Sequence, residues 1–182
     1  MGPSWRWKKN QLPRAGYLMI FCSVGTQLPF SRLVDYLYRW SEFVNKQQKR
    51  IVIQSGGEVN SKKLDNILVR MFVSEEEFSK YIDECSIVIS HAGMGNIIRA
   101  IELNKPIVIV PRLGSLNEHR NDHQTDSANR FSSLSNVFVA NDFDSFCKAI
   151  ELASGYCDNR SKTAYPERDK LIKYLNSQIS LL

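Results

Sequence analysis

The sequence predicts a single α/β domain, a Rossmann-like, doubly wound parallel sheet with helices on both faces. Three observations lead there. Short Ile/Val-rich runs alternate with stretches of helical periodicity along most of the chain, and that alternation places crossover helices between parallel strands. The runs are near-continuously apolar rather than alternating, as strands covered on both faces require. Turns rich in glycine and small polar residues follow several of them, at the strand ends where open parallel sheets bind ligands.

The first strand is Leu18 to Ser23 (LMIFCS), closed by Val24-Gly25-Thr26 and Pro29. Leu33, Val34, Leu37, Ser41 and Val44 then recur at helical spacing, with Ser31 as the expected N-cap. Arg50 to Gln54 (RIVIQ) is the second strand, closed by Ser55-Gly56-Gly57, and Ile67 to Phe72 the third. Ser74 and Glu77 form a capping box for a helix reaching about Glu84. Ile87 to Ser90 is the fourth strand and runs into His91-Ala92-Gly93-Met94-Gly95-Asn96, with a helix to about Asn104. Pro106 to Pro111 is the fifth strand, followed by a polar loop from Arg112 to Asn121. A helix over Asp122–Phe131, a sixth strand over Val137–Ala140 and a helix over Phe143–Ala153 complete the pattern. A polar stretch from Ser154 to Pro166 and a closing helix over Glu167–Leu182 are expected to follow.

The formal charge of +5 suggests an anionic partner, but its distribution argues against nucleic acid. Residues 1–16 carry Arg6, Lys8, Lys9 and Arg14 with no acid, which leaves +1 for residues 17–182. The chain therefore reads as a basic leader over 1–16 and one domain over 17–182. No apolar run reaches the roughly 18 residues that span a bilayer. Cys22, Cys85, Cys147 and Cys157 form no C-x-x-C pair, a usage that fits a reducing, cytoplasmic setting.

Four features fall at strand ends. The most informative is His91 to Asn96, where two glycines between strand and helix let a backbone approach a ligand and the helix start offers unpaired N–H groups. A ligand-free tight turn explains the same residues. The dinucleotide pattern G-x-G-x-x-G fails at Ile98. Gly25-Thr26 lacks the P-loop lysine. Gln54-Ser55-Gly56 closes the second strand. Arg112 opens the polar loop whose core is Glu118-His119-Arg120-Asn121-Asp122-His123-Gln124. That loop reads three ways: a metal site through His119 and His123, a solvated helix start, or a sugar site. H-E-x-x-H is absent, and no metal is expected.

Taken in order, Val24-Gly25-Thr26, Gln54-Ser55-Gly56, Ile89 to Gly95, Asn104-Lys105-Pro106 to Arg112, and Asp122-His123-Gln124 resemble the C-terminal domain of family 28 glycosyltransferases, the MurG group. The likeness is nearer to small stand-alone versions: the PssE-type subunit of polysaccharide synthesis and the catalytic subunit of the eukaryotic dolichol-linked GlcNAc transferase. It covers about Met19 to Ile150.

The resemblance implies the donor half of a GT-B enzyme. It also implies inverting transfer of a hexose-type sugar from a UDP-sugar to a lipid-linked acceptor, with no metal or other cofactor required. It further implies a membrane-anchored, PssD-like acceptor-binding subunit that recruits this chain to the cytoplasmic membrane face. By the same resemblance, Gly93, Met94 and Gly95, with Asn96 beside them, match the diphosphate loop, His91 matches the motif histidine, and Asp122 with Gln124 match positions near the donor sugar. Arg99 stands where the family often has a ribose-binding acid, and a guanidinium donates hydrogen bonds but accepts none. A non-catalytic nucleotide-sugar-binding subunit is the alternative reading. Glu118 and His119 are the candidate bases on this chain.

Overall fold

The computed structural model describes residues 19–25, 28–45, 49–59, 63–120 and 123–159, without the side chains of 157–159. The basic leader over 1–16, Thr26, Asp122 and the closing helix expected over 167–182 lie outside the described residues.

Six strands, β1 (Met19–Ser23), β2 (Arg50–Gln54), β3 (Ile67–Arg70), β4 (Ile87–Ser90), β5 (Ile107–Ile109) and β6 (Val137–Val139), form one sheet in the order β3-β2-β1-β4-β5-β6. Every adjacent pair is parallel. Between them run α1 (Ser31–Phe43), α2 (Glu75–Glu84), α3 (Met94–Glu102) and α4 (His123–Phe131), and α5 (Phe143–Asn159) follows β6. The order reverses between β1 and β4, which creates the crevice that doubly wound sheets use for ligands.

The period of two along β1 divides the core. Ile20 and Cys22 face Leu33, Leu37, Phe146 and Ile150 of α1 and α5. Met19 and Phe21 face Tyr81, Ile82, Ile97 and Phe131 of α2, α3 and α4. Phe21 is fully buried, stacked on Tyr81 at 5.3 Å between ring centroids and edge-on to Phe78 at 5.4 Å. Truncating such a ring to alanine costs about 3–5 kcal/mol.

The capping box forms as expected: Ser74 Oγ accepts from the Glu77 N–H at 3.1 Å, and the Ser74 N–H donates to Glu77 at 3.1 Å. Two expectations are corrected. Ser31 is the first residue of α1 rather than its cap, and the cap position belongs to Phe30, whose ring is buried in the core. Helix α5 continues six residues past Ala153, into the stretch expected only to be polar. Tertiary contacts carry it there: Lys49 Nζ donates to Ser154 Oγ at 2.8 Å, and the Tyr156 hydroxyl donates to Asn104 Oδ1 at 2.7 Å. Among the described residues, no helix is long and apolar enough to cross a membrane.

Candidate functional site

The carboxyl ends of β2, β1 and β4 align, with Ser23 opposite both Gln54 and Ser90. Parallel register places three polar side chains on one level, and they join in a buried relay. Ser23 Oγ donates to Gln54 Oε1 at 2.8 Å, Ser90 Oγ donates to the Ser23 carbonyl at 3.1 Å, and Asn96 Nδ2 donates to Ser90 Oγ at 2.6 Å. Buried hydroxyls and amides without partners are costly. The relay removes that cost and forms the floor of an open cleft of about 380 Å³. Gly25, His91, Gly93, Gly95 and Asn96 line one side, and Val73, Ser74, Glu75 and Phe78 the other.

The three glycines differ in purpose. A Cβ on Gly25, whose φ is +89°, would stand 2.9 Å from His91 Cε1, and one on Gly93 would overlap His91 Nε2. Both positions are glycine so that the imidazole can lie between the two loops. A Cβ on Gly95 would meet nothing within 4 Å. The protein itself leaves that space open, on the first turn of α3, where the Gly93 cap supplies no side-chain acceptor. First-turn amides have no partner within a helix and lie at the positive end of its dipole. Burial, then the charges of Arg112 and His119, lower the His91 pKa to about 4 against a hydrogen bond with the Ser23 backbone, so the ring is neutral at pH 7.

The loop after β5 is held by two arginines. Arg112 is 3% exposed and donates to the carbonyls of Val24 (2.9 Å), Leu28 (2.6 Å), Pro29 (2.8 Å) and Glu118 (3.3 Å). Its backbone N–H donates to Gln124 Oε1 at 3.1 Å. Arg32 grips the Glu118 carboxylate with Nε at 2.8 Å and Nη2 at 2.7 Å, and the Leu113 N–H adds a third donor at 3.0 Å. Arg112 and Glu118, both candidates for the substrate site, thus hold loops together.

Gly56, with φ +64°, has no room for a Cβ because the Gly25 carbonyl would lie 2.7 Å away. Ser55 Oγ turns back to the Gly57 carbonyl at 2.6 Å. Gln124 sits behind Arg112, whereas Met94 and His123 are exposed. Arg99 does not line the cleft: its half-exposed guanidinium lies 3.8 Å from both Asp83 and Glu102 on the helix surface. Among the described residues, no group of three His, Cys, Asp or Glu side chains is disposed to hold a metal ion. The β3–α2 wall residues Val73, Ser74, Glu75 and Phe78, as well as Ser23 and Arg32, were not among the residues that sequence pattern singled out for the site. The capping box was the available signal, because it starts a helix directly beyond a strand end.

A profile of the glycosyltransferase family 28 C-terminal domain matches residues 19–138. The chain belongs to this family. Among relatives of the family 28 domain, the UDP-N-acetylglucosamine transferase subunit ALG13 of Candida albicans is 32% identical over 72 residues, 40% of this chain and 23% of that protein. A UDP-N-acetylglucosamine–N-acetylmuramyl-(pentapeptide) pyrophosphoryl-undecaprenol N-acetylglucosamine transferase of Prochlorococcus marinus is 36% identical over 89 residues, 46% of this chain and 24% of the relative. The matches thus span only about a quarter of each of these relatives. The fold is that of the glycosyltransferase of kitacinnamycin (TM-score 0.60, 19% identity, 87% of this chain and 41% of that one). It is also that of the calicheamicin glycosyltransferase CalG4 (TM-score 0.58, 16% identity, 92% and 46%). The family 28 domain is accordingly a Rossmann-like domain equivalent to one half of a GT-B glycosyltransferase.

Proposed function

We propose that this family 28 domain is the donor-binding catalytic part of an inverting, two-component glycosyltransferase that takes a hexose-type sugar from a UDP-sugar to a lipid-linked acceptor. The observation that carries the reading is the cleft at the β1/β4 switch point, where the first turn of α3 faces space that Gly95 leaves empty. Amides at a helix start suit a diphosphate, and they stabilise it most as charge develops on the leaving group. They take the place of a metal in this reading. The apolar β3–α2 wall of Val73 and Phe78 gives the nucleoside a surface, and the Gln54–Ser23 relay gives it polar edges. The names of these relatives, both UDP-N-acetylglucosamine transferases, support the choice of nucleotide.

The acceptor and the base that deprotonates its hydroxyl belong to a second, membrane-anchored component in polysaccharide or glycan synthesis, which draws this chain to the cytoplasmic membrane face. Glu118 is gripped by Arg32 and His91 is packed between glycines, which leaves His119 as the candidate base on this side. Isothermal titration with UDP, with GDP and NAD as controls, tests the reading. Selective UDP binding that Gly95→Val abolishes is the expected result, and equal binding of the three nucleotides would overturn it. The second reading is a non-catalytic, nucleotide-sugar-binding subunit: by resemblance Arg99 stands where the family often has a ribose-binding acid, and its guanidinium lies on the helix surface outside the cleft, which leaves the ribose without that carboxylate. A large gain in UDP affinity in Arg99→Glu would support that second reading.

A further inference from the structure

The buried guanidinium of Arg112 is placed where charge matters and a ligand does not reach. Among the described residues its partners are four backbone carbonyls and the ring of Phe30, 4.6 Å from the guanidinium carbon. Carbonyl dipoles offset the loss of water around a buried cation but carry no net charge. The nearby carboxylate of Glu118 is already held in a two-point grip by Arg32. Among the described residues, two guanidiniums thus share one carboxylate, which leaves this cluster with one positive charge. The carbonyl of Val24, one of the four, immediately precedes Gly25, the residue that packs on His91 and lines the cleft. A lysine keeps the charge but, as a point donor, holds fewer of these carbonyls than the planar fork of the guanidinium.

We propose that Arg112 is the positioning residue of the cleft: it ties the Gly25 loop to the loop after β5, and its charge makes the cleft favour a diphosphate over an uncharged ligand. This rests on the diphosphate location given under Proposed function. The charge acts through protein rather than by contact, which costs no rearrangement when the ligand arrives. Its field already reaches the cleft wall, since it is one cause of the depressed His91 pKa.

The test uses the full chain, labelled with nitrogen-15, titrated with inorganic pyrophosphate, UDP and uridine and followed by amide shifts of Gly93, Gly95 and Asn96. Arg112→Gln is expected to weaken pyrophosphate and UDP about ten-fold, the scale of one screened charge at short range, and to weaken uridine far less. Arg112→Lys, which keeps the charge, is expected to recover most of that loss. Without ligand, His91 is expected to titrate above its wild-type value in Arg112→Gln and near it in Arg112→Lys, since burial, the larger cause of its low pKa, remains in both and only the charge differs. If Arg112→Gln does not fold, Glu118→Gln carries the test in the opposite direction: removing the one carboxylate is expected to strengthen pyrophosphate binding. Equal pyrophosphate affinity in wild type and the charge variants overturns the proposal, as does an equal loss in Arg112→Lys and Arg112→Gln. Wild type binding UDP but not pyrophosphate overturns it while leaving the functional reading intact. Wild type binding pyrophosphate no less tightly than UDP sinks the functional reading and leaves this proposal standing.

Discussion

The imidazole of His91 occupies the space that a side chain on Gly93 would need. The glycine after the histidine is therefore a packing requirement of the protein before it is anything to a ligand. The same cannot be said of Gly95, opposite which nothing stands.

These two glycines should consequently respond differently to substitution. Gly93→Ala is expected to displace His91 and destabilise the domain by about 1–3 kcal/mol, the range for overpacking a filled site. Gly95→Ala is expected to unfold like wild type, within roughly 0.5 kcal/mol or slightly more stable, since alanine favours a helix. Urea denaturation of both variants checks this, and equal destabilisation would contradict the geometry.

The Arg32–Glu118 pair, with both side chains under 15% exposed, should be worth more than a surface ion pair. Removing one partner leaves the other desolvated without its counter-charge, and Arg32→Met or Glu118→Gln is expected to cost about 2–4 kcal/mol. The double variant should cost less than the sum of the two, which a double-mutant cycle measures.

Acid should weaken the fold through His91. Its pKa falls from an ordinary 6.5 to about 4 in the folded chain, because burial and then Arg112 oppose the charged ring. The folded state therefore binds this proton less readily than the unfolded state. No contribution exists above about pH 6.5, stability falls as pH drops from there to about 4, and the loss then levels off. Its size is on the order of 2 kcal/mol after discounting for partial exposure. Denaturation at pH 7, 5.5 and 4.5 should show a steeper decline in wild type than in His91→Asn.

Cys22 is fully buried, and burial pushes its thiol pKa far up, so almost no thiolate forms at neutral pH. Iodoacetamide at pH 7.5 is expected to modify Cys22 only after unfolding, whereas half-buried Cys147 reacts in the native chain, slowed by its own raised pKa. Mass spectrometry of peptides from native and urea-treated protein distinguishes the two.

Much of this architecture was legible before any coordinates. Apolar runs bounded by turn residues located all six strands, and the inner ones are largely apolar because they are covered on both faces. The Ser74–Glu77 box placed the start of α2, because a cap is local chemistry between residues three apart. The end of α5 was not legible: the helical pattern fades at Ala153 into a polar stretch, and contacts to Lys49 and Asn104, 105 and 52 residues away in sequence, carry the helix onward.

The candidate site divides along the same line. Local pattern marked Gly25, Gln54, His91, Gly93, Gly95 and Asn96, all of which line the one cleft, because ligands of parallel sheets gather at strand ends and strand ends can be read from sequence. Only the tertiary structure decided that Val73 and Phe78 form the facing wall, that Arg99 lies outside it, and that Arg112 and Glu118 turn inward to hold loops. The physical reason is that a charged side chain in a loop takes its role from whichever donors and acceptors the folded chain brings within 3 Å or so. Those partners lie as much as 88 residues away in sequence, beyond the reach of any local pattern.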